Sequence, residues 1–252
     1  MKLNFVIKSH FDEKKVLETI QHFDSSGEHF DDRIRNSIKL FDFENKKINI
    51  KSFKKPNIYN SFVYKYIRKS KAKRSFEHAN ILLDLKIGTP NPMAYLEKFS
   101  FWGLKDSYYV SEHLNYDLTF RELVQMPDFP DHENILRQFT AFSYRLHQLG
   151  IEFKDHSPGN TLIKKENNLS YSFYLVDLNR MNFHTVMSFD LRMKNLCRLT
   201  PKEEMVRVMA DEYAKHSGEK ASTIFETLWK YTSEFQDKYH RKRAFKKKYF
   251  GK

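Results

Sequence analysis

A single cysteine, Cys197, leaves the 252-residue chain no internal disulfide framework and no cysteine-based zinc site. It reads as a small buried hydrophobe, and so low a thiol count fits a reducing compartment. Glycine and proline are also scarce, seven of each, which excludes collagen-like and linker-rich designs. No internal repeat is visible. No apolar run approaches the roughly 18 residues of a membrane span. The opening Met1-Lys2-Leu3-Asn4-Phe5-Val6-Ile7-Lys8 is too short and too quickly charged for a signal peptide. A soluble protein on the cytoplasmic side is expected. Acidic residues are outnumbered, 32 against 44 Lys and Arg, for a formal charge of +12.

Apolar residues make up 40% of the chain and aromatic ones 15%, enough to build a real core. The length suits one large domain or two lobes around a cleft. A basic surface attracts nucleic acid, anionic lipid or phosphorylated substrates, and composition does not choose between them. Much of the excess charge lies in residues 65–74 and in the tail from Lys238 through Arg241, Lys242, Arg243, Lys246, Lys247 and Lys248. Either stretch can be a solvated helix face. Phe245, Tyr249 and Phe250 among the tail charges also suit anchoring at an interface.

Residues 1–35 give mixed signals. Ile38, Leu40 and residues 41–43 read as a strand, residues 44–47 as a turn, and Ile48, Ile50, Ser52 and Phe53 as a second strand. Residues 59–85 read as one helix, rich in Lys, Arg, Glu, Ala and Leu. After the loop Gly88-Thr89-Pro90-Asn91-Pro92 come strands over residues 93–99 and 107–113. A short helix over 118–124 is followed by a longer one over 134–149, with Ile135, Phe139, Phe142 and Leu146 on one face and Gly150 as its stop. A polar loop (154–159) precedes strands at 161–163 and 171–176, joined by an Asn167-Asn168 turn. From Asp190 the pattern is mostly helical. A strand-rich first part and a helical second part make an α+β, two-lobe plan with a hinge near residues 112–115.

The chemistry concentrates in one stretch. Asp155 follows a helix and a turn, Asn160 comes five residues later just before an apolar strand, and Asp177 ends the next apolar strand. Phosphoryl transfer needs such a set: one carboxylate to orient the attacking hydroxyl, and a second carboxylate with an amide oxygen to hold magnesium against nucleotide phosphates.

In these residues the sequence resembles the protein-kinase-like superfamily. Its catalytic loop reads H-R-D-L-x-x-x-N, and here Phe153-Lys154-Asp155-His156-Ser157-Pro158-Gly159-Asn160 keeps the Asp-to-Asn spacing. Its D-F-G corresponds to Asp177-Leu178-Asn179-Arg180, without the Phe-Gly, and its V-A-I-K to Ile48-Asn49-Ile50-Lys51. The resemblance implies a small N-lobe over 1–113 and a helical C-lobe over 114–252. It implies ATP and magnesium as cofactors, Asp155 as the catalytic carboxylate, and Asn160 and Asp177 as metal ligands. Lys51 would hold the α- and β-phosphates with Glu77 as its partner. Glu112-His113-Leu114 would be the hinge that binds adenine through its backbone. A glycine-rich loop is missing, since Gly27 is the only glycine before Gly88, and Arg33, Arg35 or Asn36 would cover the phosphates instead. The A-P-E segment is absent too.

Within the superfamily, residues 36–200 resemble the bacterial lipopolysaccharide kinases, which act on Kdo or heptose of the inner core. Gly159-Asn160, the D-x-x-R of Asp177 to Arg180, and Lys194-Asn195-Leu196-Cys197-Arg198-Leu199 carry that likeness. It implies a lipid A-core glycolipid as acceptor, with Arg180 gripping an acidic group on it. It also implies an anionic inner-membrane surface as partner, and no nucleic acid. A small-molecule kinase for an aminoglycoside-type or soluble-sugar substrate, and a protein kinase or pseudokinase scaffold, are the alternatives. The sequence is silent on oligomeric state.

Overall fold

Alternation along Lys46–Phe53 (β4) buries Ile48 and Ile50 completely and turns Lys47, Asn49 and Lys51 to the other face. The strand sits near the middle of a six-stranded antiparallel sheet in the order β1-β5-β6-β4-β3-β2. Its companions are Lys2–Ile7 (β1), Glu28–Asp31 (β2), Asn36–Phe43 (β3), Pro92–Ser100 (β5) and Gly103–Glu112 (β6). The computed structural model describes residues 2–31, 36–167 and 169–251. Arg33, Arg35 and Asn168 lie outside the described residues. The chain divides into two units, Met1–Asn115 with Asp177–Arg180, and Tyr116–Val176 with Met181–Lys252.

In the first unit, Val16 and Ile20 of helix Glu13–Gln21 (α1) join Phe41, Ile48, Ile50, Met93, Leu96 and Val110 in one apolar cluster. A second cluster on Phe53, Ala72 and Tyr95 seats helix Lys71–Asp84 (α3). The expected helix over 59–85 is two helices. Ile58–Tyr66 (α2) ends at Ile67, and Ser70 starts α3 by accepting from the Lys73 N–H at 3.0 Å. No Pro or Gly marks the break; the N-cap hydroxyl makes it. The strand β1 was not legible because its pairing is remote: Lys2 to Ile7 run antiparallel to Phe99 to Ala94.

The second unit begins with Leu118–Thr119 (β7) and the short helix Phe120–Gln125 (α4), closed by a capping box between Thr119 and Glu122. The helix His132–Gln148 (α5) buries Ile135, Phe139 and Leu146. Ile151–Phe153 (β8) pairs with Met181–Phe183 (β11), and Thr161–Asn167 (β9) pairs with Ser170–Leu175 (β10). Helices Phe189–Leu196 (α6), Glu203–Ser217 (α7) and Ala221–Phe250 (α8) complete a core around Phe120, Phe139, Met193, Met209 and Tyr213. No helix among the described residues is long and apolar enough to cross a membrane.

Candidate active site

The candidate residues fall into two groups, one in each unit. In the first, Lys51 projects from β4, flanked in register by Ile38 and Tyr109. Its Nζ donates to Asp177 Oδ1 at 2.6 Å and lies over the Phe53 ring. Both side chains are mostly shielded, 14% and 31% exposed, so the attraction is screened less than at an open surface. Asn179 Nδ2 donates to the same Oδ1 at 2.8 Å. Asp177 has φ +62°, a left-handed conformation that Asp tolerates better than most residues and that costs on the order of 1 kcal/mol.

Helix α3 holds the backbone on which Asp177 sits. His78 Nδ1 donates to the Leu178 carbonyl at 2.6 Å, and Arg74 Nη1 to the Asn179 carbonyl at 2.5 Å. Burial lowers the pKa of His78 and favours the neutral ring, and the bond to the Leu178 carbonyl puts its proton on Nδ1. These two side chains, one helical turn apart, went unremarked in the sequence because nothing in it shows that α3 meets residues 177–180. Glu77, between them, accepts both its bonds from Lys69 at 2.9 Å. The structure thus pairs Lys51 with Asp177 and Glu77 with Lys69, where the sequence suggested Lys51 with Glu77. Lys69 reaches Glu77 because it lies just before Ser70, the residue that starts α3.

Asn49 shares the Lys51 face of β4 and fixes the end of β6. Its Nδ2 donates to the Glu112 carbonyl, and its Oδ1 accepts from His113 Nδ1 at 3.3 Å. The backbone N–H groups of Glu112 and His113 go to Asn91 and Lys47. Leu114 donates to no backbone carbonyl among the described residues. Lys46 Nζ sits 2.5 Å from Glu112 Oε1. Asn36 opens β3, where its Oδ1 accepts from the Lys54 N–H at 3.4 Å.

In the second unit, β8 delivers the chain to Asp155, and a 3-10 turn over Pro158–Asn160 returns it to β9. Asn160 Nδ2 donates to the Asp155 carbonyl at 2.8 Å, and the Asn160 carbonyl accepts from Val176 N–H. The five-residue spacing is therefore a closed loop in which the amide fixes the Asp155 backbone. Arg198 adds a second hold. Its Nη1 donates to the Lys154 carbonyl at 2.8 Å and lies 3.6 Å from Asp155 Oδ1, while its guanidinium rests over Phe235. Arg198 was visible only as part of a sequence motif; its place beside Asp155 is a fact of the fold. At Gly159 a Cβ would come within 2.3 Å of the Arg121 guanidinium, so Arg121 lies directly on this loop.

Beneath the loop, Asn195 Nδ2 donates to the Phe153 carbonyl at 2.9 Å, and its Oδ1 accepts from His147 Nε2 at 3.2 Å. Tyr213 then donates to His147 Nδ1 at 2.9 Å. Burial pushes His147 down to about 4, so this chain of bonds is anchored on a neutral imidazole. Arg180 is exposed, three residues past Asp177.

No family model matches the chain, and no curated protein does. A solved structure does: "WaaP in complex with acyl carrier protein", 13% identical, TM-score 0.64, spanning 93% of this chain and 98% of that one. The chain has the fold of WaaP. The antiparallel sheet of the first unit and the helical second unit are the two lobes of a kinase-like fold. With identity so low the likeness to WaaP is one of fold, and the chemistry rests on the side chains described above.

Magnesium in phosphoryl transfer asks for one or two carboxylates together with phosphate oxygens, not for an all-protein cage. The donor set fits that demand. Asp177, in the first unit, is a carboxylate held beside an ammonium, and Asn160, in the second, carries an amide oxygen opposite the Nδ2 that bonds the Asp155 carbonyl.

Proposed function

We propose that the protein is an ATP-dependent kinase that phosphorylates a sugar hydroxyl, of Kdo or heptose, on the lipopolysaccharide inner core. The observation that supports this best is the Lys51–Asp177 pair, set on a backbone that α3 grips at two carbonyls. A fixed ammonium and carboxylate are the groups that nucleotide phosphates and their magnesium require. WaaP, which has the same fold, is a lipopolysaccharide core heptose kinase.

In this reading Lys51 holds the α- and β-phosphates, and Asn160 and Asp177 give oxygens to magnesium. Leu114 and its neighbours Glu112 and His113 meet adenine through the backbone. Asn36, at the start of β3, helps to cover the phosphates. Magnesium supplies charge neutralisation at the transferring phosphoryl group. Asp155 orients the acceptor hydroxyl, whose oxygen bonds to the γ-phosphorus as the bond to the β-phosphate oxygen breaks; the hydroxyl proton passes to the carboxylate and ADP leaves. Arg198 and Asn160 act on Asp155 as positioning residues. Arg180 meets an acidic group of the acceptor, since a guanidinium binds a carboxylate by two parallel bonds. Glu77 serves Lys51 when Lys51 is drawn to phosphate. The protein works at the cytoplasmic face of an anionic inner membrane. WaaP's solved complex adds acyl carrier protein to the binding partners to be tried.

The deciding assay offers purified enzyme and magnesium-ATP three acceptors: Kdo-lipid A or its heptosylated core, a soluble aminoglycoside, and a generic protein. Transfer to the glycolipid is expected. Transfer only to the aminoglycoside, or only to the protein, overturns the reading.

A further inference from the structure

Helix α2 turns its apolar residues outward. Ser61 is its buried residue, while Ile58, Tyr59, Phe62 and Tyr66 are 79%, 76%, 53% and 63% exposed. At 3.6 residues per turn those four fall within an arc of about 100°. The inner side of the helix is small and polar. Ser61 Oγ donates to the Leu104 carbonyl at 2.5 Å, and Gly103, at φ +131°, admits the helix where a Cβ would stand 2.4 Å from the Ser61 carbonyl oxygen. A helix of a globular protein normally does the opposite, burying its apolar stripe.

The turn between β5 and β6 extends the apolar surface. Phe101 and Trp102 are 83% and 71% exposed with ring centroids 5.2 Å apart, and Lys65 Nζ donates to the Phe101 carbonyl at 3.1 Å, tying the turn to α2. Residues 45–76 hold eleven Lys or Arg and no Asp or Glu. A groove of about 920 Å³ opens alongside, lined by Lys2, Lys65, Arg68, Lys69 and Lys73; its one acid, Glu97, is bonded by Asn4 at 2.6 Å.

We infer that α2 and the Phe101–Trp102 turn form a docking face for an anionic lipid bilayer. Aromatic and aliphatic tips enter the headgroup layer, and the surrounding cations meet lipid phosphates. Two features favour a bilayer over other occupants. The apolar side chains project as two small ring pairs, Phe62 with Tyr66 and Phe101 with Trp102, and as Ile58 and Tyr59, from a helix surface and a hairpin tip, which suits insertion between lipids. A second copy of this chain would bring the same positive charge to the same face. The inference deepens the glycolipid-kinase reading, on which its purpose rests, but its test uses neither nucleotide nor acceptor.

Trp102 and Trp229 are the two tryptophans, and Trp229 packs on the core of the second unit. The full chain is mixed with phosphatidylglycerol-containing vesicles, with pure phosphatidylcholine vesicles, or with acyl carrier protein, and tryptophan emission and co-flotation are recorded. With anionic vesicles a blue shift and quenching by brominated lipid are expected, both lost in Trp102→Phe. Ile58→Ser with Phe62→Ser, and separately Lys54→Glu with Arg68→Glu, are expected to cut retention by about tenfold or more with unchanged thermal unfolding. These positions are exposed, so the variants are expected to fold. Vesicle binding without any Trp102 response, as the basic tail of α8 alone would give, overturns the proposal. So does a Trp102 response to acyl carrier protein but not to vesicles. A Trp102 response in a protein with no phosphotransferase activity leaves the face standing and sinks the kinase reading; an active kinase without the response does the reverse.

Discussion

Lys51 and Asp177 are 126 residues apart in sequence, yet Nζ and Oδ1 are 2.6 Å apart in space. The contact joins the middle of a sheet to a four-residue segment that the chain inserts between two strands of the other unit, β10 and β11. Asp177 makes this contact from the left-handed region, a local cost on the order of 1 kcal/mol that Glu44, Lys86 and Asp131 also bear.

Asp177→Asn tests that role with the least disturbance. Asn accepts the left-handed backbone and keeps the shape, but loses the charge. Magnesium-ATP turnover is expected to fall by about two orders of magnitude or more. Thermal stability should change by about 1 kcal/mol, the scale of one partly shielded ion pair. ADP release and thermal unfolding measure the two. Full turnover in the variant removes Asp177 from the metal.

Asp155 and Arg198 separate orientation from nucleotide binding. Asp155→Asn is expected to cut kcat by about a hundredfold or more and leave the ATP KM within about twofold. Arg198→Lys keeps the charge but loses the geometry that serves the Lys154 carbonyl and Asp155 together. It should lower kcat by about tenfold at unchanged ATP KM. Arg198→Met should be worse than Arg198→Lys. Equal loss in both would mean that Arg198 only packs on Phe235, and a raised ATP KM would place it near the nucleotide instead.

The strands that carry the site were legible because their periodicity is local: Ile48 and Ile50 inward, Lys51 outward. The loop from Asp155 to Asn160 was legible because its spacing is itself the bond from the Asn160 amide to the Asp155 carbonyl. What stayed hidden depends on contacts remote in sequence. Strand β1 finds β5 about ninety residues on, and Arg74 and His78 find the backbone at 179 and 178 about a hundred residues on. The break between α2 and α3 was hidden for a different reason. Ser70 is a weak local signal inside a run of good helix formers, and only the outward-facing stripe of α2 shows why two helices are needed.

The partner of Glu77 can be decided by comparing two variants. An exposed Lys69–Glu77 pair contributes little, about 0–1 kcal/mol. Lys69→Met is therefore expected to leave ATP turnover within about threefold. If Glu77 orients Lys51 once phosphate is bound, Glu77→Gln should lower kcat/KM for ATP by about tenfold or more. Steady-state kinetics on both proteins read this directly. Equal, small effects would confine Glu77 to its bond with Lys69, and the Lys51 role would then rest on Asp177 alone.

His147 and His156 make the second unit sensitive to acid. Burial pushes His147 down to about 4 and His156 down to about 3, against about 6.5 in an unfolded chain. Between those values the unfolded state binds the protons and the folded state does not, so stability falls as pH falls from about 6.5 toward 3–4. Above about 6.5 these groups contribute no pH dependence. The two histidines differ in their partners. His147 has Tyr213 and Asn195. Asn195 pulls the His156 value up as well, but its amide is committed to His147 and the Phe153 carbonyl, and neither ring nitrogen of His156 has a hydrogen-bond partner among the described residues. The His156 ring lies between Phe139 and Phe153, each 5.6 Å away by centroid. This is the position at which the kinase catalytic loop carries leucine. His156→Leu removes two buried, unpaired polar atoms from an apolar slot. It is expected to raise stability at pH 7 by about 1–3 kcal/mol. It should also reduce the loss of stability between pH 6.5 and 4, leaving the part due to His147. Thermal unfolding of both proteins across that range measures both effects. A lower Tm at pH 7 would show that the imidazole packs between the two rings better than leucine does, and an unchanged pH slope would assign the acid sensitivity to His147.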